Sequence, residues 1–309
     1  MKITVVGPGA VGGLLGALLA RKGEDVSFLA RGEALRAIQE RGLQIKTPNG
    51  DFATGSLPAA ESPTALGQSD LVLVTVKSWQ VEGLAPSLVP LLGPSTVVAP
   101  MQNGVEAVDH LRESLGSGPV VGGVCHVISV LEGPARVSYR GLPPQVTLGE
   151  LGGAISPRLQ KIVAALENAG IVARLSENIR RDLWEKLLFV EPLGSIGAVT
   201  RVSADVFRSL PESRELLTSA MREVENVAGS VGVPLRSDAV ERAMKRIDAL
   251  PAGATASMHR DLIAGRPSEL REQTGAVVRI GKRSAAKIPV HEFLWAALLP
   301  QERQARGEA

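Results

Sequence analysis

The chain has 309 residues, a length that predicts about two domains, each large enough to bury its own core. Lys and Arg total 34 and Asp and Glu total 32, and this balance gives no support for a broad nucleic-acid-binding face. Hydrophobic residues make up 44% of the chain and aromatic residues only 3%, which excludes a disordered chain and predicts an aliphatic core.

The N-terminus begins with Lys2 and an apolar stretch, as a secretion signal does. Pro8 and the surrounding glycines interrupt that stretch, so a strand, a tight turn and a helix are the better interpretation. No other apolar run approaches the roughly 20 residues that cross a bilayer. We therefore expect a cytoplasmic protein with no membrane partner. The single cysteine, Cys125, fits a reducing compartment as an inert, buried residue.

Short β-rich runs alternate with helical stretches in the first part of the chain. The strand candidates are residues 3–6, 26–30, 71–76 and 96–99, and helices begin near Ala10, Glu33 and Val81. This alternation predicts a parallel α/β sheet, extended by antiparallel strands at 120–130, 135–139 and 145–148.

From residue 176 the pattern is helical. Helices are predicted at 178–190, 212–231, 236–248, 257–264, 268–284 and 290–300, with prolines near their boundaries. The predicted fold class is therefore α/β, with a Rossmann-type dinucleotide-binding domain over 1–175 and an all-helical C-terminal domain over 176–309.

The first chemical signal is a glycine-rich turn after the first strand, with the sequence Gly7-Pro8-Gly9-Ala10-Val11-Gly12. Its first glycine permits a tight turn, its second lets backbone amides approach a pyrophosphate, and its third lets the helix pack closely on the strand. A dinucleotide site is predicted here, and the alternative is a turn whose glycines serve packing alone.

The end of the second predicted strand indicates which dinucleotide is bound. An NAD-binding protein usually places an acid there to bind the ribose 2′-hydroxyl, but this chain has Arg31. A guanidinium would instead form a charge-assisted fork with a 2′-phosphate, which predicts NADP(H). Lys77, at the end of the third strand, is a second candidate for the cofactor. The alternatives are that Arg31 is a solvated residue starting a helix and Lys77 an exposed strand-end lysine.

The sequence Gln102-Asn103-Gly104 follows the fourth predicted strand and falls at the carboxyl edge of the sheet. Asn-Gly alone is a common turn. Beside a cofactor site, however, the Asn103 amide could bind both the nicotinamide end and the substrate.

The motifs above are joined by three more in the helical region, and the full set is Gly7-x-Gly9-x-x-Gly12, Leu29-Ala30-Arg31, Val76-Lys77, Gln102-Asn103-Gly104, Trp184-Glu185-Lys186-Leu187, Ser257-Met258-x-x-Asp261 and Glu269. Together these motifs resemble the ketopantoate reductase (2-dehydropantoate 2-reductase) family. The resemblance implies a Rossmann domain followed by a helical substrate and catalytic domain. It also implies NADPH-dependent reduction of 2-dehydropantoate to pantoate, on the route through pantothenate to coenzyme A.

The resemblance assigns a role to each candidate residue of the helical region. Lys186 matches the catalytic lysine, a general acid for the carbonyl oxygen, although a helix lysine is usually solvent-facing. Glu269 matches the glutamate that holds the substrate, and could instead begin a helix. Ser257 matches a serine near the substrate carboxylate, and could instead cap a helix. Asp261 is a further substrate candidate, or a first-turn acid. Asn103 would contact both cofactor and substrate.

One departure concerns the substrate. Many members carry asparagines four and eight residues after the catalytic lysine, where this chain has Val190 and Gly194. Ser195 or Glu191 could substitute, or the pocket could favour another branched 2-oxo acid. A non-catalytic NADP(H)-binding regulator with a protein partner is a further alternative. The four dispersed histidines predict no metal site, with His259 the one nearest the candidate residues. A homodimer is expected by analogy only.

Overall fold

A computed structural model describes residues 1–308 of the chain. These residues form two compact units. The first consists of Met1–Gln102 and Ala107–Ile179, and the second of Asn103–Glu106 together with the chain from Arg180 onward. The second unit therefore includes a short segment that interrupts the first.

The first half of the first unit alternates strands and helices. Its elements in chain order are β1 (Lys2–Val6), α1 (Ala10–Arg21), β2 (Asp25–Leu29), α2 (Gly32–Arg41), β3 (Gln44–Lys46), β4 (Phe52–Ala53), β5 (Ala59–Ala60), α3 (Pro63–Leu66), β6 (Leu71–Val74), α4 (Val81–Leu84), β7 (Val97–Pro100) and α5 (Ala107–Leu115). Two 3₁₀ turns, Ser78–Gln80 and Ala85–Leu91, flank α4.

Five of these strands form a parallel sheet in the order β5-β2-β1-β6-β7. β6 and β7 are apolar and buried at every position, as expected of strands covered on both faces. From β1 the strand order runs outward to β2 and β5 on one side, and the later strands β6 and β7 are added on the other side, so the order reverses between β1 and β6. In open α/β sheets, ligands bind at the carboxyl ends of the strands at such a switch point. The predicted α/β fold with a parallel sheet is thus confirmed.

The later strands of the unit do not extend this sheet, contrary to the sequence prediction. They are β8 (Gly122–His126), β9 (Ser129–Gly133), β10 (Arg136–Tyr139), β11 (Gln145–Gly149) and, after helix α6 (Pro157–Asn168), β12 (Val172–Leu175). They form two further sheets, β4-β3-β10-β9 and β12-β11-β8.

The reason is a break in the predicted strand over residues 120–130. The chain leaves β8 after His126 and starts β9 at Ser129, so the two halves join different sheets. β10 then packs on α1, where a Cβ atom at Gly13 would lie 3.1 Å from Val137 Cγ2. The predicted antiparallel pairing is confirmed for β9 with β10 and for β8 with β11, but the sequence analysis named no strand partners and placed these strands in the wrong sheet.

The second unit is helical, and residues 180–308 contain no strand. Its helices are α7 (Ile179–Thr200), α8 (Ala204–Phe207), α9 (Pro211–Ser230), α10 (Ala239–Asp248), α11 (Ser257–Ile263), α12 (Thr274–Arg283) and α13 (Pro289–Arg306). The predicted helical C-terminal region is confirmed. Within residues 1–308, no helix has both the length and the apolar character that a membrane span requires.

Helix boundaries differ from the prediction at prolines. α7 continues ten residues beyond the predicted end at 190 and contains Pro192, and α13 continues beyond Pro300. Every residue from 191 to 198 is buried, so packing against neighbours outweighs the backbone hydrogen bond that Pro192 removes. Conversely, the helix predicted at 268 begins only at Thr274.

Candidate functional site

The glycine loop, residues 7–12, combines close packing with open space. Gly7 has φ of +90°, and a Cβ atom there would lie 2.7 Å from Val76 Cγ1. A Cβ atom at Gly12 would lie 2.5 Å from the carbonyl oxygen of Gly7. A Cβ atom at Gly9, by contrast, would meet no atom within 4 Å. Gly7 and Gly12 therefore serve packing, whereas Gly9 leaves room for a ligand.

Helix α1 begins immediately after this open position. Gly9 is its N-cap residue and no side chain caps it, so its first backbone N–H groups lack side-chain partners. The N-terminus of a helix of this length attracts an anion through those groups and through the helix dipole. The consecutive residues Gly7, Pro8, Gly9, Ala10, Val11 and Gly12 thus fit the pyrophosphate of a dinucleotide.

Two polar side chains support this loop: Thr75, which the sequence analysis did not single out, and Gln102, which belongs to the motif Gln102-Asn103-Gly104 but was given no role of its own. The Thr75 hydroxyl lies 2.9 Å from the carbonyl oxygen of Val6 and 2.7 Å from that of Gly7. Gln102 Nε2 donates to the carbonyl oxygens of Val74 and Val76, both at 2.9 Å. Gln102 Oε1 is buried and has no hydrogen-bond partner within residues 1–308. The sequence did not reveal these supporting contacts, because the carbonyl partners of both side chains lie far away in the chain.

Arg31 and Lys77, the two predicted cofactor cations, are both exposed. Arg31 is the N-cap residue of α2, at the carboxyl end of β2. Lys77 follows β6 and starts the first 3₁₀ turn, with its Nζ atom 5.6 Å from the ring centre of Trp79. The structure thus places both cations at carboxyl ends of strands in the parallel sheet.

An acid also lies beside the end of β2, although the sequence around Arg31 contains none. Glu61 follows β5, which pairs with β2 through Leu29 and Ala60. Its Oε1 atom accepts a hydrogen bond from the Gly32 backbone N–H at 3.3 Å. Sequence reasoning missed Glu61 because the two-residue strand β5 has no recognisable pattern.

In the second unit, Lys186 lies in the middle of α7 and is only 6% exposed. The alternative of a solvent-facing helix lysine is therefore wrong. Its neighbour Glu185 is tied instead to Arg236, with an ion pair and a hydrogen bond to the Arg236 backbone N–H. A lysine residue this buried is expensive to desolvate, and such a residue marks a candidate functional position.

Asn103 and Glu269, which the sequence analysis assigned to one site, are brought together by the structure. Asn103 Nδ2 donates to Glu269 Oε2 at 3.2 Å, and Gln273 Nε2 donates to the same oxygen at 3.2 Å. The three residues form the Glu269 cluster, and Glu269 itself is 8% exposed. Glu269 lies in a turn before α12, so it is not the first-turn helix residue of the alternative interpretation. Gln273 was missed by the sequence analysis.

The segment Asn103–Glu106 is held in the second unit by more than Asn103. Glu106 pairs with Arg279, whose Nη2 atom lies 2.5 Å from Glu106 Oε2. A Cβ atom at Gly104 would lie 2.7 Å from the carbonyl oxygen of Glu272, so a side chain there would displace the backbone. The Gly104 conformation, with φ of +99°, also favours glycine.

Ser257 and Asp261 lie on α11. Ser257 is exposed and is the first residue of the helix, with Ala256 at the N-cap, so it does not cap the helix as the alternative proposed. Asp261 lies beyond the first turn and pairs with Arg266 at 2.9 Å, so it is not a first-turn acid.

Helix α11 packs against α7 beyond Lys186. A Cβ atom at Gly194 would lie 2.8 Å from Met258 Cε, and one at Gly197 would lie 2.7 Å from His259 Nδ1. Gly194 therefore permits the close approach of α11, and Met258 occupies the space that a larger side chain would need. His259 is buried, and burial together with the nearby Arg260 lowers its pKa.

Glu191 and Ser195, proposed as substitutes for the asparagines, are fully buried and bonded to other groups. Glu191 lies 2.9 Å from His291 Nε2, and His291 Nδ1 lies 2.7 Å from Glu223. Burial disfavours the charged imidazole, but the two carboxylates outweigh it and raise the pKa of His291 to about 9. Ser195 donates to the Glu191 carbonyl oxygen at 3.0 Å. Both residues are therefore part of a hydrogen-bonded network in the interior of the helical unit.

Glu272 lies in the same turn as Glu269, next to Arg271, and its carboxyl group is unusual in its hydrogen bonding and its pKa. Its Oε2 atom is buried without a hydrogen-bond partner in the described structure. Burial raises the pKa of Glu272 to about 7, against the opposing charge of Arg306, and the nearby Glu269 raises it further. Among residues 1–308, no group of three or more His, Cys, Asp or Glu side chains is placed to hold a metal ion.

Models of one protein family match both parts of the chain. The model described as "Ketopantoate reductase PanE/ApbA" matches residues 3–153. The model described as "Ketopantoate reductase PanE/ApbA C terminal" matches residues 178–302.

Individual proteins are similar over nearly the full length. The chain is 25% identical to "Uncharacterized oxidoreductase YkpB" of Bacillus subtilis, covering 98% of this chain and 100% of that protein. It is 30% identical to the 2-dehydropantoate 2-reductase of Mesorhizobium japonicum, covering 91% of this chain and 92% of that protein. The crystal structure of a PanE/ApbA family ketopantoate reductase from Ralstonia eutropha matches with a TM-score of 0.90 at 28% identity, covering 99% of this chain and 100% of that chain.

Proposed function

This chain belongs to the ketopantoate reductase family of oxidoreductases, and we propose that it reduces 2-dehydropantoate to pantoate with NADPH, in pantothenate and coenzyme A biosynthesis. The observation that carries the proposal is the burial of Lys186, a lysine residue that is only 6% exposed. A desolvated ammonium group is suited to bind an oxygen atom on which negative charge develops.

The first unit supplies the residues that would hold the cofactor. Residues 7–12 would bind the pyrophosphate, with Gly9 leaving room for it. Arg31 would bind the 2′-phosphate of the adenosine ribose, and Lys77 the ribose or phosphate oxygens. When bound, NADPH supplies the hydride that adds to the carbonyl carbon.

Lys186 supplies the proton in the second unit. As the ketone carbon gains a hydride, charge builds on its oxygen, and the Lys186 ammonium group donates a proton to that oxygen. The products are the alcohol and a neutral amine, and the amine regains its proton from solvent. Lys186 thus stabilises the negative charge that develops on the carbonyl oxygen, and its proton then neutralises that charge.

The Glu269 cluster and α11 would orient the substrate. The Glu269 carboxylate accepts hydrogen bonds and is suited to the hydroxyl group of the pantoyl chain. Asn103 already donates to Glu269, so it couples the position of that carboxylate to its own contacts with cofactor and substrate. Ser257, exposed at the start of α11, would bind the substrate carboxylate through its hydroxyl group, and Asp261 would lie one turn further.

A second candidate substrate class is supported by α7. Val190 is one turn beyond Lys186 on the same helix face, and Gly194 is two turns beyond. Gly194 packs against Met258, so this face carries hydrocarbon where amide groups would bind a hydroxylated substrate. A branched 2-oxo acid without the hydroxyl group therefore fits as an alternative to 2-dehydropantoate.

The test is to mix the purified protein with NADPH and follow cofactor oxidation at 340 nm. 2-Dehydropantoate is compared with pyruvate, 2-oxoisovalerate and 2-oxopantolactone. We expect the highest kcat/KM with 2-dehydropantoate. Turnover of a different acid alone would replace the substrate and retain the reductase. NADPH binding without turnover of any acid would instead support the alternative of a non-catalytic NADP(H)-binding regulator.

A further inference from the structure

Ser268, the residue before Glu269, is bound on every polar atom it has. Its backbone N–H lies 3.1 Å from Glu302 Oε2 and 3.2 Å from Glu302 Oε1, and its hydroxyl donates to Glu302 Oε2 at 2.5 Å. Its carbonyl oxygen accepts a hydrogen bond from Arg306 Nη2 at 2.8 Å. Its hydroxyl oxygen also accepts the Leu270 N–H at 3.2 Å. We call Ser268, Glu302 and Arg306 the Ser268 clamp.

The clamp is buried. Ser268 and Glu302 are both 0% exposed, and the Arg306 side chain is only 13% exposed. Arg306 Nε also donates to Glu302, so one cation and one carboxylate enclose the Ser268 backbone from both sides. A buried charge pair with this many hydrogen bonds holds one geometry, because any shift leaves a desolvated group unpaired.

The Ser268 clamp holds a turn that has no regular secondary structure of its own. Residues 266–273 form no regular helix or strand, and a turn of this length usually lies on the surface and is mobile. Here it carries Glu269, whose carboxylate must stay beside Asn103 and Gln273. A substrate-binding carboxylate on a turn needs a rigid support, because small displacements weaken its contacts strongly.

We infer that Glu302 and Arg306, on α13, are positioning residues that fix the Glu269 turn in its substrate-binding conformation. This inference rests on the proposed role of Glu269. Glu302 does not contact the substrate itself, since its oxygens are fully buried and occupied by Ser268 and Arg306. It acts through Ser268, the residue adjacent to Glu269.

The test begins with Glu302→Gln, which replaces one acceptor oxygen by a donor opposite three donors. We expect KM for 2-dehydropantoate to rise roughly tenfold, while kcat changes less than about threefold and the NADPH dissociation constant is unchanged. Amide hydrogen exchange at Ser268 and Leu270 should accelerate as well. Ser268→Ala is the second variant, and it keeps the inference testable if Glu302→Gln does not fold. Because it removes only the hydroxyl, it should show a smaller rise in KM.

The matched control is Glu292→Gln, a half-exposed glutamate on the same helix that pairs with Lys282 at 3.3 Å. It should leave both KM and amide exchange unchanged. An unchanged KM in both Glu302→Gln and Ser268→Ala, with the Glu292→Gln control intact, would overturn the inference.

A double variant separates this inference from the proposed function. If Glu302 acts through Glu269, its effect on KM should disappear when Glu269 is already alanine. An equal effect of Glu302→Gln in the Glu269→Ala background would overturn the positioning role while leaving the reductase proposal standing. If Glu269→Ala alone leaves KM unchanged, the assignment of Glu269 to the substrate fails first, and the inference falls with it.

Discussion

The glycine loop and the Glu269 cluster differ in how far apart their residues lie in the chain. The loop is six consecutive residues that run from the end of β1 into the first turn of α1, and its geometry follows from the positions of three glycines. The cluster joins Asn103 to Glu269 across 166 positions. Its geometry depends on the turn before α12 and on the Ser268 clamp, neither of which has a local sequence signature.

This difference separates two kinds of function. A local motif binds a common chemical group, here a pyrophosphate, through backbone N–H groups that any helix start provides. A cluster assembled from distant residues selects a particular substrate, because its side chains must arrive from different elements with fixed spacing. We therefore expect changes in the loop to affect cofactor binding, and changes around Lys186 and Glu269 to affect turnover or substrate binding.

Lys186→Ala should have the largest effect and would separate the two regions most sharply. Loss of the proton donor should lower kcat by roughly 10³-fold. NADPH binding, measured by fluorescence titration, should stay within about twofold of the original. The control is Lys245→Ala, an exposed lysine on α10 that pairs with Glu241. Full activity of Lys186→Ala would remove this lysine from the chemistry.

Two glycine variants test whether the loop binds a ligand or merely packs. Gly9→Ala adds a methyl group in open space, so the melting temperature should hardly change, while the NADPH dissociation constant should rise roughly 30-fold. Gly12→Ala should instead destabilise the fold by about 1–3 kcal/mol, because its methyl group would collide with the Gly7 carbonyl oxygen. Unchanged NADPH binding in Gly9→Ala would favour the packing-only alternative.

Arg31→Asp sharpens the cofactor half of the comparison. Loss of the guanidinium should lower kcat/KM for NADPH about tenfold and raise the preference for NADH. Glu61→Gln is the complementary variant, because it removes the negative charge of the carboxylate beside Gly32. It should therefore tighten NADPH binding relative to the unaltered protein. An unchanged ratio of the two cofactors in Arg31→Asp would mean that Arg31 does not bind the phosphate.

The smallest effect is expected at Glu272, and it concerns stability alone. Its pKa is raised to about 7 in the folded protein, so folding disfavours the charged form and stability declines as pH rises from about 4.5 to 7. Glu272→Gln cannot ionise and should be more stable above pH 7, by about 1–2 kcal/mol after allowing for partial exposure. Thermal melts at pH 4.5 and 8 should show the difference only at pH 8.

The regular elements near the N-terminus were predictable from sequence, because β1, α1 and β6 are set by local hydrophobic patterns. The sheet membership of β8 and β9 was not, since short strands reveal alternation but not their partners. The same limit hid the continuation of α7 through Pro192, which depends on burial by the rest of the unit.

Site residues divided in the same way. The loop glycines have recognisable spacing, and Lys186, Asn103 and Glu269 were identified through a family resemblance. Glu61 and Thr75 were missed, because each acts on a residue distant in sequence. Gln273 was missed although Glu269 is only four residues away, because the irregular turn that brings them together has no recognisable pattern. The proposed roles of the site residues, the cytoplasmic location and the homodimer stay predictions.

The short excursion of Asn103–Glu106 into the helical unit restricts how this protein can be dissected or recombined. A fragment that starts after residue 175 would contain Glu269 but no Asn103, so the Glu269 carboxylate would lose the Asn103 amide donor and keep that of Gln273. Chimeras that exchange the nucleotide-binding half for that of a relative would also exchange this amide. Interchange of the two halves is therefore expected to succeed only between relatives with an equivalent tetrapeptide.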